Sequence, residues 1–124
     1  MKNEPDKEPS FDLRERTKEF ALRIVRMFVA LPKTDEAMVL GKQALRSGTS
    51  VGAKYREAHR GLAKPEFIAK IADCIKDLDE TDYWLELLAE TNTLTAPKLA
   101  SLQDETRQLL AILTTILKKA KSSL

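Results

Sequence analysis

The sequence predicts an all-α protein, an antiparallel up-down-up-down four-helix bundle. Apolar residues recur at spacings of three and four through four separate segments, and none of these segments alternates with period two. The links between them are only a few residues long, so helices of about twenty residues must run antiparallel to their sequence neighbours. With 124 residues, 43% of them hydrophobic, the chain is long enough for one domain whose core needs neither disulfide nor metal. The bundle is expected over 11–121, between a disordered tail at 1–10, rich in Lys, Glu, Asp and Pro, and a short tail at 122–124.

The first helix is expected from about Phe11 to Leu31, with Leu13, Phe20, Ile24, Met27 and Leu31 on one stripe and Pro32 stopping it. Thr34 is placed to cap the second helix, with Asp35 and Glu36 at the positive end of its dipole. That helix buries Ala44, Gly48, Val51, Tyr55 and Ala58 and is broken by Gly61. Its glycines Gly41, Gly48 and Gly52 each cost roughly 0.5–1 kcal/mol relative to alanine, which implies close packing against the backbone and reads as a clue to assembly. The third helix opens at Pro65 and runs to about Glu90 with Phe67, Ile71, Cys74, Leu78, Leu85 and Leu88 inward. Asn92 and Thr93 end it. The fourth is capped by Thr95 and carries Leu99, Leu102, Leu109, Leu113 and Ile116 up to Lys121.

Most catalytic chemistries lack their residues. A ferritin-like di-iron site needs Glu-x-x-His pairs, but the one histidine, His59, follows Arg56 at that spacing. One thiol, Cys74, supplies neither a zinc nor an iron–sulfur ligand set and reads as a small buried hydrophobe. A nucleophile would need a histidine base oriented by a carboxylate, and no glycine-rich phosphate loop of known spacing is present. The expectation is a non-enzymatic protein without cofactor or metal. No apolar run approaches the ~20 residues that span a membrane, and the start has no secretory pattern, so the cytoplasm is the default location.

Charge position is more informative than the net +2. On the second helix Lys42, Arg46, Arg56 and Arg60 share a stripe completed by Thr49 and Ala53, with Lys54 and Lys64 nearby and Glu57 the one acid in that span. The third helix is the reverse, carrying Asp73, Asp77, Asp79, Glu80, Asp82, Glu86 and Glu90. Three readings stay open: two solvated faces, pairing between helices or subunits, and a nucleic-acid footprint through Lys42, Lys54, Arg56 and Arg60. Arg46 and Glu57, three turns apart on one flank, and Glu80 on the third helix either pair inside the bundle or lie on its surface. Trp84 and Tyr83 read as core aromatics before base-stacking ones.

The chain resembles the four-helix-bundle family of 23S ribosomal RNA intervening-sequence proteins. The resemblance rests on Leu31-Pro32, on Leu40-Gly41-x-Gln43-x-x-Arg46-x-x-x-Ser50-Val51-x-Ala53-x-x-x-Glu57-Ala58, on Glu66-Phe67-Ile68 and on Glu80 to Leu87. It implies a ring-shaped homopentamer, with Arg46, Glu57 and Glu80 as an inward-facing charge network. The chain is also similar to the accessory variability determinant proteins of diversity-generating retroelements, which implies binding of RNA or DNA and a reverse transcriptase as possible partner. Lys54 stands where the family usually has asparagine, and Ala63 where a serine or threonine cap is common. Two functions follow as expectations: a pentameric nucleic-acid-binding bundle, or a purely structural or protein-interaction ring.

Overall fold

Pro32 has no backbone donor, and the first helix ends just short of it: α1 spans Pro9–Val29. Leu31 follows in a turn yet is buried with Leu13, Phe20, Ile24 and Met27, so its place in the apolar stripe outlasts the helix itself. Thr34 then starts α2, Asp35–Ala58, its hydroxyl accepting from the amide of Ala37 at 3.3 Å. His59 closes α2, and Gly61 turns the chain with φ +73°. In α3, Lys64–Glu90, Ala63 occupies the cap position without a side-chain bond, and Pro65 sits in the first turn. Asn92, at φ 57°, takes the left-handed conformation that asparagine tolerates after a helix end. Thr95 leads into α4, Ala96–Ser122, which runs one residue past the expected Lys121; its hydroxyl makes no cap bond.

The computed structural model describes residues 9–123. Pro9 and Ser10, expected in the tail, belong to α1; the rest of that tail and Leu124 lie outside the described residues.

Cross-helix contacts show the alternating direction. Thr17, Ile24 and Phe28 of α1 meet Gly52, Gly48 and Gly41 of α2 in reverse order, Ser47, Val51 and Glu57 of α2 likewise meet Thr81, Cys74 and Lys70 of α3, and Arg16 and Arg23 of α1 meet Glu105 and Ser101 of α4; Asp82 joins α3 to α4 at Arg107. The core is the set of stripes read from the periodicity, with Phe20, Ile24, Ala44, Val51, Tyr55, Ile71, Leu78, Leu85, Leu99 and Leu109 essentially sealed from solvent. Each large side chain of this kind contributes about 1.5–3 kcal/mol on burial. Phe67 and Ile116, assigned to the seams, are only half-buried.

The glycines of α2 are occupied within the chain, which corrects their reading as an assembly surface. A Cβ on Gly41 would collide with Leu31 and crowd Phe28, and one on Gly48 would lie 2.8 Å from Ile24 Cγ1. At Gly52 it would lie 3.2 Å from Thr17 Oγ1 and 3.4 Å from the Thr17 carbonyl oxygen. All these partners belong to α1 or the turn after it. The glycine spacing sets how closely α1 and α2 approach.

Candidate nucleic-acid interface

The stripe Lys42, Arg46, Thr49, Ala53, Arg56 and Arg60 turns away from the core, because the core positions Ala44, Val51, Tyr55 and Ala58 occupy the other side of α2. Lys42, Arg46, Ala53 and Arg60 are exposed, and Thr49 and Arg56 are half-buried. Among the described residues none of these four cations makes an ion pair with a carboxylate. Arg46 Nη2 donates to Gln43 Oε1 at 3.2 Å, a bond that leaves its charge uncompensated.

Close approach at Gly52 shapes the surface beside this stripe. A groove of about 310 Å³ opens between α1 and α2, lined by Ala21, Gly52 and Ala53 together with Thr17, Thr49, Lys18 and Arg56. Two cations from different helices thus flank a lining of small residues and hydroxyls. The Thr17 hydroxyl is turned inward, donating to the Leu13 carbonyl at 2.7 Å, while Thr49 Oγ1 donates to Leu45 at 2.7 Å. Nearby at the end of α2, the ring of His59 stands edge-on to Tyr55 at 4.7 Å and to Phe67 at 5.5 Å. Partial burial and the positive charge of Arg14 hold its pKa below the ordinary value.

Lys54 leaves the proposed interface. It points to α3, where Nζ lies 3.0 Å from Asp77 Oδ2, and Asp77 is 6% exposed. Beside this pair, Ser47 Oγ and Thr81 Oγ1 share a buried hydrogen bond of 2.7 Å, and Thr81 also donates to the Asp77 carbonyl at 2.8 Å. Thr81 falls in register with Cys74, Leu78 and Leu85, so a hydroxyl at a core position was the available signal for this polar layer.

The expected network of Arg46, Glu57 and Glu80 is not assembled within the chain. Arg46 and Glu57 are both exposed, and Glu57 pairs with Lys70 of α3 at 2.6 Å. Hydrogen bonding to Lys70 and its charge lower the Glu57 pKa and raise that of Lys70. Glu80 is half-buried on α3 and joins neither partner. Arg46 and Glu57 do share one exposed flank of α2, but Lys70 of α3 takes up Glu57, and the contacts of α3 with α2 run through Ser47, Val51, Lys54 and Glu57 without Glu80.

Cys74 is buried, its thiol donating weakly to the Val51 carbonyl at 3.5 Å, and burial pushes its pKa to about 12. Trp84 packs against the core, whereas Tyr83 is 53% exposed among the acids of α3, contrary to its reading as a core aromatic. No group of three or more His, Cys, Asp or Glu side chains comes together as a metal site among the described residues. Nor is any described helix long and apolar enough to cross a membrane.

A family comparison agrees with this architecture. The model of the 23S rRNA-intervening sequence protein family matches residues 10–115. A solved structure of a protein of unknown function from the S23 ribosomal protein family of Bacteroides thetaiotaomicron superposes with a TM-score of 0.82. The two chains share 36% identity, over 88% of this chain and 97% of the other. No curated protein gives a significant match. With the family match running from the start of α1 into α4, the chain belongs to the 23S rRNA-intervening sequence protein family.

Proposed function

We propose that this protein is a non-catalytic, cytoplasmic homo-oligomer, a pentameric ring, that binds RNA or DNA through the outer face of α1 and α2, with a nucleic-acid enzyme such as a reverse transcriptase as a protein partner. One observation carries the reading: Lys42, Arg46, Arg56 and Arg60 lie along one flank without an ion pair among the described residues, the carboxylate nearest Arg60, Glu57, being taken up by Lys70, and Lys18 adds to them across a groove of small residues. Cations placed along a helix neutralise successive phosphates, whereas a merely solvated face would mix both signs. The groove lets a backbone approach closely. Lys54, held by Asp77, plays no part.

A second reading has its own support. The outer stripe of α3 carries Asp79, Glu86 and Glu90 around the exposed Tyr83. A basic face on α2 and an acidic face on α3 of the same molecule suit a head-to-tail contact, which generates closed rings. In a purely structural ring, that contact would consume the basic face.

Fluorescence anisotropy with labelled RNA and DNA oligonucleotides separates the two. Wild type is expected to bind at low salt, and an Arg46→Glu, Arg56→Glu variant of unchanged melting temperature and mass to bind at least about tenfold more weakly. No wild-type binding, or equal binding by the variant, would leave the structural ring.

A further inference from the structure

Among the helix neighbours, α1 and α4 touch least, and where they part the structure leaves an open cleft of about 230 Å³. Its apolar surface comes from Met27 of α1, Ala30 in the turn after it, Leu94 before α4, and Leu99 and Leu102 within α4. Arg23, Arg26 and Lys98 complete the lining, and no carboxylate contributes. Toward the other end of the same seam, Arg16 grips Glu105 through two hydrogen bonds of 2.8 and 2.9 Å and closes it. The cleft is therefore a localised feature of one end of the bundle and shares no lining residue with the groove beside Gly52.

Charge and shape together indicate an occupant. Arg23 is steadied at the cleft by a 2.8 Å hydrogen bond from Nη2 to Ser101 Oγ, which leaves most of its guanidinium donors free. Arg26 and Lys98 are exposed, and neither makes an ion pair with a carboxylate among the described residues. Three cations above an apolar wall suit an anionic head on an apolar body, and a planar carboxylate is what an arginine fork binds with two parallel hydrogen bonds. At about 30 Å³ per water in the liquid, 230 Å³ holds about eight non-hydrogen atoms, enough for an apolar body of that size with its head in the open mouth. We infer that the cleft between α1 and α4 is a binding site for a small amphipathic carboxylate, its head on Arg23, Arg26 and Lys98 and its body on Met27, Leu99 and Leu102.

Octanoate has the required size and polarity. Titrated into the ¹⁵N-labelled full chain and followed by amide shifts, it is expected to saturate one site per chain, with the largest changes around Ala30 and Lys98. Octanol, which keeps the body and loses the charge, is expected to bind about tenfold more weakly, as is octanoate to an Arg26→Gln, Lys98→Gln variant. Ala30→Phe fills the cleft with all three cations intact and is expected to abolish saturation, which keeps the test open should the charge variant fail to fold. Absence of saturation in wild type, equal affinity for octanol, displacement by equimolar inorganic phosphate, or binding retained by Ala30→Phe would each overturn the site.

Discussion

The side chain of Ile24 occupies the notch left by Gly48, so closely that a Cβ on the glycine would stand 2.8 Å from Ile24 Cγ1. Ile24 is fully buried, so it yields only by repacking the core around it. Gly48→Ala gains about 0.5–1 kcal/mol of helix propensity and loses about 1–3 kcal/mol to overpacking, so a net destabilisation of about 1 kcal/mol is expected. Gly52→Ala, which meets Thr17 Oγ1 at 3.2 Å, should be milder. Urea unfolding checks the order, and light scattering should show the same mass for both variants and wild type, because these glycines face α1.

Lys54 and Asp77 should matter more to folding than the pair formed by Glu57 and Lys70. Removing Lys54 leaves a carboxylate that is 6% exposed without its cation, and Lys54→Ala is expected to cost about 1–3 kcal/mol. Glu57→Ala removes an exposed pair and should leave the unfolding midpoint unchanged. Glu80→Ala, which breaks no ion pair among the described residues, should cost less than Asp77→Ala. A double-mutant cycle on Lys54 and Asp77 measures the coupling directly.

How much of this was legible follows from periodicity. Ala44, Val51, Tyr55, Leu78 and Leu85 announce their burial because a helix repeats every 3.6 residues and only one side can face a core. The same rule places Lys42, Arg46 and Arg60 on the surface. It does not say from which side the next helix approaches, and this is why Lys54 read as part of the basic flank and Glu57 as a partner of Arg46. A glycine likewise signals close packing without naming the neighbour: Gly48 suggested another subunit, and Ile24 of the same chain fills it. Lys18 escaped notice because Glu15 and Glu19 flank it in sequence, whereas the fold brings it to Arg56.

Acidification should weaken the fold before carboxylates titrate. Burial and Arg14 hold His59 below its ordinary pKa of 6.5. As pH falls through that value the unfolded chain takes up a proton the folded chain resists, so the unfolded state binds more protons and stability drops. The contribution is complete above about 6.5 and lost progressively below it. Urea midpoints at about pH 7.5 and 5.5 should differ for wild type and differ less for His59→Gln.

Cys74 should be inert in the folded protein. With its pKa pushed to about 12 and its sulfur buried, almost no thiolate reaches solvent at neutral pH. Ellman's reagent is expected to react only as fast as the chain unfolds, and a full rapid reaction under native conditions would contradict the packing of α3 against Val51.

The salt dependence of oligonucleotide binding tests the central claim, a basic face repeated around a ring. Lys18, Lys42, Arg46, Arg56 and Arg60 of one subunit can neutralise no more than five phosphates, which limits a single subunit to a log–log slope of about −3.5 on single strands. Measured by anisotropy across a salt series, the slope for the wild-type protein is predicted to be steeper than that limit and to flatten in the Arg46→Glu, Arg56→Glu variant. A slope near zero, or one unchanged by the charge reversal, would contradict the account.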